Sequence, residues 1–171
     1  MVGIVVGSDS DLPVIRGAVE ALTHFGIPHE LEIASAHRVP ERVHEYGRTA
    51  VQRGLKVVIA AAGAAAHLPG VIAALTPLPV IGVPIAAGTL GGLDALLSVA
   101  QMPKGVPVAT VAVNGAFNAG VLAAQIIGAG DPAVQEKVAA YKDALGREVA
   151  AKAGRLKAAG VEEYLKSKEQ V

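Results

Sequence analysis

The sequence predicts an α/β fold: an open, doubly wound parallel sheet of about five strands within a single three-layer domain. Three observations carry that expectation. Short apolar runs and amphipathic stretches alternate along the chain, with successive strands about 22 to 30 residues apart. The runs are continuously apolar, as in strands covered by helices on both sides. Finally, 171 residues, 52% of them apolar and 18% charged, suffice for one domain with a sizeable core and argue against disorder. Aromatic residues are only 3%, so the core must be built from Ala, Val, Leu and Ile.

Each element has a local reason. Val2–Val6 is a buried strand stopped by Gly7. Leu12, Ile15, Val19, Leu22 and Phe25 recur at helical spacing; Ser10 or Asp11 suits the N-cap, Pro13 the first turn, and Gly26 with Pro28 the stop. Leu31–Ala34 is the second strand, and Pro40 opens a helix to about Arg53. Val57–Ala62 is the third strand, followed by a loop of small residues to Gly70 and a short helix, Val71–Leu75. Val80–Val83 is the fourth strand, Leu90–Ala100 a helix, Val108–Val113 the fifth strand and Asn118–Ile127 a helix. Right-handed crossovers joining such elements give a flavodoxin-like or Rossmann-like αβα sandwich.

The chain changes character at Asp131. Val134, Val138, Tyr141, Leu145 and Val149 step by four, three, four and four residues, one face of a helix with Lys and Glu on the others. The α/β core looks complete without it. We therefore expect residues 1–130 to form the catalytic body and 131–171 a helical extension of the same domain, its stripe packed on neighbouring subunits.

Composition narrows the function. Fifteen Lys and Arg balance fifteen Asp and Glu, which argues against a nucleic-acid surface. With no cysteine, disulfides, thiolate metal sites and a cysteine nucleophile are excluded. The N-terminus reads as strand rather than leader, so a cytoplasmic protein is expected. Val57 to Leu93 lacks any Asp, Glu, Lys or Arg, yet Pro69, Pro77, Pro79 and Pro84 break it up, so a buried βαβ segment is expected and not a membrane span.

Open α/β sheets bind ligands beyond the carboxyl ends of their strands. Three loops qualify: Gly7-Ser8-Asp9-Ser10-Asp11, Ser35-Ala36-His37-Arg38 and Gly63-Ala64-Ala65-Ala66-His67-Leu68-Pro69-Gly70. Arg38, with Ser8, Ser10, Ser35 and helix N-termini, is equipped to hold a phosphate. Asp11 would repel phosphate but can accept from ribose hydroxyls, which suggests a phosphorylated ribose. The alternative is that Ser10 and Asp11 only cap the following helix. His37 stands in a strand-end loop where a histidine can take and return a proton, or it is a loop residue with no chemistry. The Ala- and Gly-rich third loop is either a dry wall suited to losing a carboxylate or simple tight packing. His24, His29 and His44 read as structural. No HxH or HExxH spacing is present.

These three loops, in this order, resemble the bacterial PurE family of 5-(carboxyamino)imidazole ribonucleotide mutases, enzymes of purine biosynthesis. Leu78-Pro79-Val80-Ile81-Gly82-Val83-Pro84, Gln101-Met102-Pro103, Gly105-Val106-Pro107-Val108 and Asn118-Ala119-Gly120 fit the same family, over roughly residues 2 to 128. Ser-Ala-His-Arg with Ala-His-Leu-Pro-Gly resembles the mutase class; the class that carboxylates aminoimidazole ribonucleotide directly tends to carry Ser-Ala-His-Lys. The resemblance implies nucleotide contacts from Ser8, Asp11 and Arg38, a phosphate contact from Ser35, a general acid/base in His37, and a wall around imidazole and carboxyl from Ala62, Gly63, His67 and Leu68. The expected site is thus His37 and His67 as catalytic residues, with Ser8, Ser10, Asp11, Ser35, Ala36, Arg38, Ala62, Gly63 and Leu68 binding substrate. The resemblance implies no metal, no cofactor and no ATP, and a homo-octamer. A CO2-dependent carboxylase and a non-catalytic nucleotide-binding relative are the alternatives. Ala61 and Ala64 stand where the family has glycines; a required φ above zero would cost Ala about 1 kcal/mol. Residues 86–95 and 114–117 also depart from its pattern.

Overall fold

The computed structural model describes residues 1–169; the last two residues of the expected extension lie outside the described residues. Five parallel strands, β1 (Val2–Val6), β2 (His29–Ile33), β3 (Val57–Gly63), β4 (Val80–Ile85) and β5 (Ala109–Thr110), lie in the order β2-β1-β3-β4-β5. The chain leaves β1 for β2 on one side and returns to β3 on the other. The strand order therefore reverses at β1, which opens a gap between the carboxyl ends of β1 and β3.

Helices cover both faces. On one, α1 (Leu12–Phe25) and α5 (Ala116–Gly128) bring Ile15, Leu22, Phe25, Ala119 and Ala123 onto Ile4, Val6, Ile59, Ile81 and Val83. On the other, α2 (Pro40–Thr49), α3 (Leu68–Leu75) and α4 (Leu93–Ala100) bring Val43, Tyr46, Ile72 and Val99 onto Val5, Val58 and Val80. Small residues replace aromatic bulk by letting backbones approach: a Cβ on Gly120 would come 2.7 Å from the Ala21 side chain and 2.9 Å from the Ala18 carbonyl.

Several boundaries differ from expectation, each for a local reason. The third helix starts at Leu68, not Val71, because Pro69 is tolerated in a first turn where its N–H would be unpaired anyway. The fourth starts at Leu93, not Leu90, because Gly91 and Gly92 take positive φ of 60° and 90°. Helix α2 ends at Thr49, and β5 keeps only Ala109–Thr110. Beyond β5, the chain turns through Asn114, at φ 59°, whose N–H donates to Pro84 O at 2.8 Å and whose Oδ1 accepts from Ala86 N–H at 2.9 Å.

The C-terminal arm is two helices, α6 (Pro132–Ala159) and α7 (Val161–Glu169), separated by Gly160. Asp131 caps α6, accepting from Ala133 and Val134 N–H. The expectation that the body's core closes without this segment is corrected. Val138 is buried in it, Tyr141 packs edge-on to Phe25, and Lys137 Nζ donates to Phe25 O at 2.9 Å. Farther along, Leu145 is 46% exposed and Val149 65%. Among the described residues no helix is long and apolar enough to cross a membrane.

Candidate active site

The gap at the strand-order reversal is a crevice of about 410 Å³. Ser8, Ser10, Asp11, Ser35, Ala36, His37, Arg38, Ala62, Gly63, His67 and Leu68 all line it, so the structure brings the whole sequence-predicted set together. Each loop reaches the rim because its strand ends there.

The polar wall comes from β1 and β2. Ser8 caps a 3-10 turn, Asp9–Asp11, that leads into α1: Ser10 N–H donates to Ser8 Oγ at 3.3 Å, and Ser8 N–H donates to Asp11 Oδ2 at 3.2 Å. The capping alternative holds in part: Asp11 is the N-cap residue of α1 but makes no side-chain cap there, and its carboxylate instead reaches back to Ser8 N–H as one half of a capping box whose other half is the Ser8 hydroxyl. Asp11 is only 7% exposed, and burial pushes its carboxyl above the usual range, against the lowering effect of the Ser8 and Gly7 backbone. Ser10 Oγ donates to Ser8 Oγ at 2.9 Å, which in turn donates to Asp9 Oδ1 at 3.1 Å. Arg38 crosses from the β2 loop to the β1 loop, donating to Gly7 O at 3.0 Å. The rest of its guanidinium fork keeps further donors. Beyond Arg38 and Ser35 the rim continues into a second hollow of about 400 Å³, shared with Gly7, Ser8, Asp9, Ile33 and Val39.

The apolar wall comes from β3 and β4. Ala62, Gly63, Ala64, Ala65 and Leu68 supply no polar side chain, and Ala87, beyond β4, joins them. Gly63 allows this closure: a Cβ there would lie 2.8 Å from Ala87 Cβ and 3.2 Å from Ile85 O. Of the two alanines standing at expected glycines, Ala61 is an ordinary β3 residue paired with Val6 and Val83, whereas Ala64 is held at φ 51°. One strained alanine therefore sits in the crevice wall.

Where the two walls meet, His37 Nε2 and His67 Nδ1 are 2.7 Å apart, with ring planes at 80°. Thirty residues separate them in the chain. The sequence named both but not their contact, and it missed Gly7, Ala64, Ala65 and Ala87 as lining residues. The first three belong to the loops already singled out, but Ala87 carries no signal short of knowing that β4 lies beside β3. The other histidines stay away from the crevice. His24 stacks on Phe25 and Tyr141, His29 Nδ1 lies 3.1 Å from Ile27 O, and His44 is on the exposed face of α2. Among the described residues no group of three His, Asp or Glu is arranged to hold a metal.

Such a rim can grip a phosphate, accept from a sugar and surround an uncharged ring with a dry surface, with an imidazole at the junction. Comparison with known proteins points the same way. The AIR carboxylase family model matches residues 1–148. The N5-carboxyaminoimidazole ribonucleotide mutase of Thermotoga maritima is 57% identical over 168 residues, covering 98% of each chain. The chloroplastic phosphoribosylaminoimidazole carboxylase of Vigna aconitifolia is 51% identical over 98% of this chain, which corresponds to 30% of that longer protein. The crystal structure of Treponema denticola PurE superposes with a TM-score of 0.82 at 27% identity, covering 91% of this chain and 98% of that one. With the crevice and the match in agreement, the chain belongs to the AIR carboxylase family.

Proposed function

We propose that this protein is a 5-(carboxyamino)imidazole ribonucleotide mutase, moving a carboxyl group from the exocyclic nitrogen of its substrate to C4 of the imidazole ring in purine biosynthesis. The observation that carries the reading is the crevice itself: one polar wall suited to a ribose phosphate, one apolar wall suited to a carboxyl in transit, and His37 at their junction.

The roles follow from the chemistry of each wall. Arg38, Ser8, Ser10 and Ser35 hold the phosphate, with Ala36 leaving room beside it, and Asp11 accepts from the ribose. One of its oxygens is already fixed by Ser8 N–H, which aims the carboxylate. The carbamate N–C bond breaks against Ala62, Gly63 and Leu68, where an anion loses its hydration. His37 gives a proton to the exocyclic nitrogen as CO2 departs. The trapped CO2 is attacked by C4 at high effective molarity. His37 then takes the C4 proton, restoring aromaticity. Nitrogen gains one proton and C4 loses one, so no net proton, cofactor or ATP is consumed. His67 completes the wall around the carboxyl group.

Residues 1–130 form the catalytic body in this reading, and 131–171 an extension that reaches neighbouring subunits of a cytoplasmic homo-octamer. Exposed Leu145, Val149, Leu156, Val161 and Leu165 on the arm, and Leu90, Leu93 and Leu97 on and before α4, support contact with other copies.

A spectrophotometric assay on chelator-treated protein without ATP tests the reaction. Conversion of the carbamate ribonucleotide to the 4-carboxylate is expected; no conversion would refute the mutase. The similarity to the Vigna aconitifolia carboxylase favours a second reading, a CO2-dependent carboxylase. Feeding aminoimidazole ribonucleotide with bicarbonate separates the two, since only the carboxylase would consume it efficiently. Nucleotide binding with neither substrate processed would mark a non-catalytic relative.

A further inference from the structure

We infer that His67 is a positioning residue: it fixes which nitrogen of His37 carries out proton transfer. The inference rests on the reading of His37 as the proton carrier.

Two imidazole nitrogens 2.7 Å apart form a hydrogen bond only if one carries a hydrogen and the other offers a lone pair. Two directions are open. If His67 Nδ1–H donates, His37 Nε2 must stay bare, and the bond breaks each time His37 becomes doubly protonated. If His37 Nε2–H donates to His67 Nδ1, the bond survives both charge states. The second direction also leaves both neutral rings protonated on Nε2, the form a free histidine side chain prefers. Among the described residues neither ring has another side-chain hydrogen bond that would enforce the first direction.

His37 Nδ1 is then the working atom. It gives its proton to the exocyclic nitrogen as the N–C bond breaks and later takes the hydrogen of C4, while Nε2–H never leaves His67. When His37 is charged, that bond is charge-assisted and stronger. His67 thus orients the ring and sets its tautomer without touching the travelling proton, as the third group does in other catalytic constellations. The chain supports such a role. His67 stands at the start of α3, its carbonyl accepting Val71 N–H at 3.0 Å, whereas His37 sits in the turn after β2; both rings are exposed. The ring whose backbone is tied into a helix orients the one carried by the turn.

A long-range 1H–15N correlation spectrum of the labelled free protein, at a pH where both rings are neutral, reads the tautomers directly. His37 should carry its hydrogen on Nε2 and His67 should have a bare Nδ1; the reverse pattern overturns the assignment. In steady-state kinetics His67→Leu should lower kcat about 10- to 100-fold, with KM for the carbamate ribonucleotide within about threefold of wild type. His67→Asn, whose amide oxygen offers a lone pair near the place of Nδ1, should recover most of the loss. A fully active His67→Leu, or an Asn variant no better than Leu, defeats the positioning role. Wild-type protein that fails to turn over the substrate would instead defeat the mutase reading, while the spectrum would still judge the tautomer.

Discussion

The rim of the sheet and the C-terminal arm are built on opposite principles. At the rim, three distant loops converge, and all the candidate residues line one crevice formed by their own chain. Along the arm, α6 is covered only at its root: Val138 is buried, but Val149, three turns on, is 65% exposed. A helix draws most of its stability from a covered apolar face. The contrast teaches that one copy of this chain can assemble a crevice but leaves half of its longest helix without a surface. Chemistry and assembly should therefore respond to different mutations.

The largest expected effect lies at the rim. His37→Asn should lower kcat by about 10²- to 10⁴-fold in the mutase assay while nucleotide affinity, measured by calorimetry, is preserved. A variant retaining wild-type kcat would remove His37 from the mechanism. Next come substitutions that split the arm. Val138→Ala should cost about 1–3 kcal/mol in chemical denaturation at every protein concentration. Replacing Leu145 and Val149 together by Glu should leave the helical signal intact but reduce the sedimentation coefficient and make melting depend on concentration. If the pair leaves the sedimentation coefficient unchanged, the outer stripe is not an assembly surface.

A smaller effect concerns Asp11. Its raised pKa means that the folded chain holds this proton to higher pH than the unfolded chain does. Its contribution to stability therefore falls as pH rises from the usual carboxylate value through the folded one, and is flat above. Asp11→Asn should abolish that slope and hold or raise stability near neutrality, while weakening substrate binding. An unchanged slope in the variant's pH–stability profile would count against burial as the cause. The smallest effect is Ala64→Gly. Relief of φ 51° is worth about 1 kcal/mol, offset by the greater freedom of unfolded glycine, so a net gain of at most about 1 kcal/mol is expected in thermal unfolding.

The two regions were also unequally legible. The strands announced themselves because burial on both faces demands continuous apolar runs, and the loops after them had to meet if β1 lay between β2 and β3. That is why Ser8, Ser10, Asp11, Ser35, His37 and Arg38 could be placed at one rim without coordinates, whereas Ala62, Gly63, His67 and Leu68 took their roles from the family resemblance. The capping of the first turn was only partly legible because Ser8, Ser10 and Asp11 are all good caps by type, and only the backbone path decides that Ser8 and Asp11 share the cap. The His37–His67 contact and the arrival of Ala87 depend on how adjacent strand ends pack, which no local pattern encodes. On the arm, the heptad-like stripe was visible, but a periodicity does not say where its cover stops. Val138 and Val149 look alike in sequence and differ only in what lies opposite.

The meeting of Gly63 with Ala87 has a consequence for engineering. Because a side chain at position 63, at the end of β3, would occupy the space of the one at 87, just past β4, the two sites act as a single design variable. A library that diversifies position 63 alone would mostly sample steric conflict with Ala87. Any effort to retune this enzyme at position 63 should therefore trim or displace residue 87 at the same time.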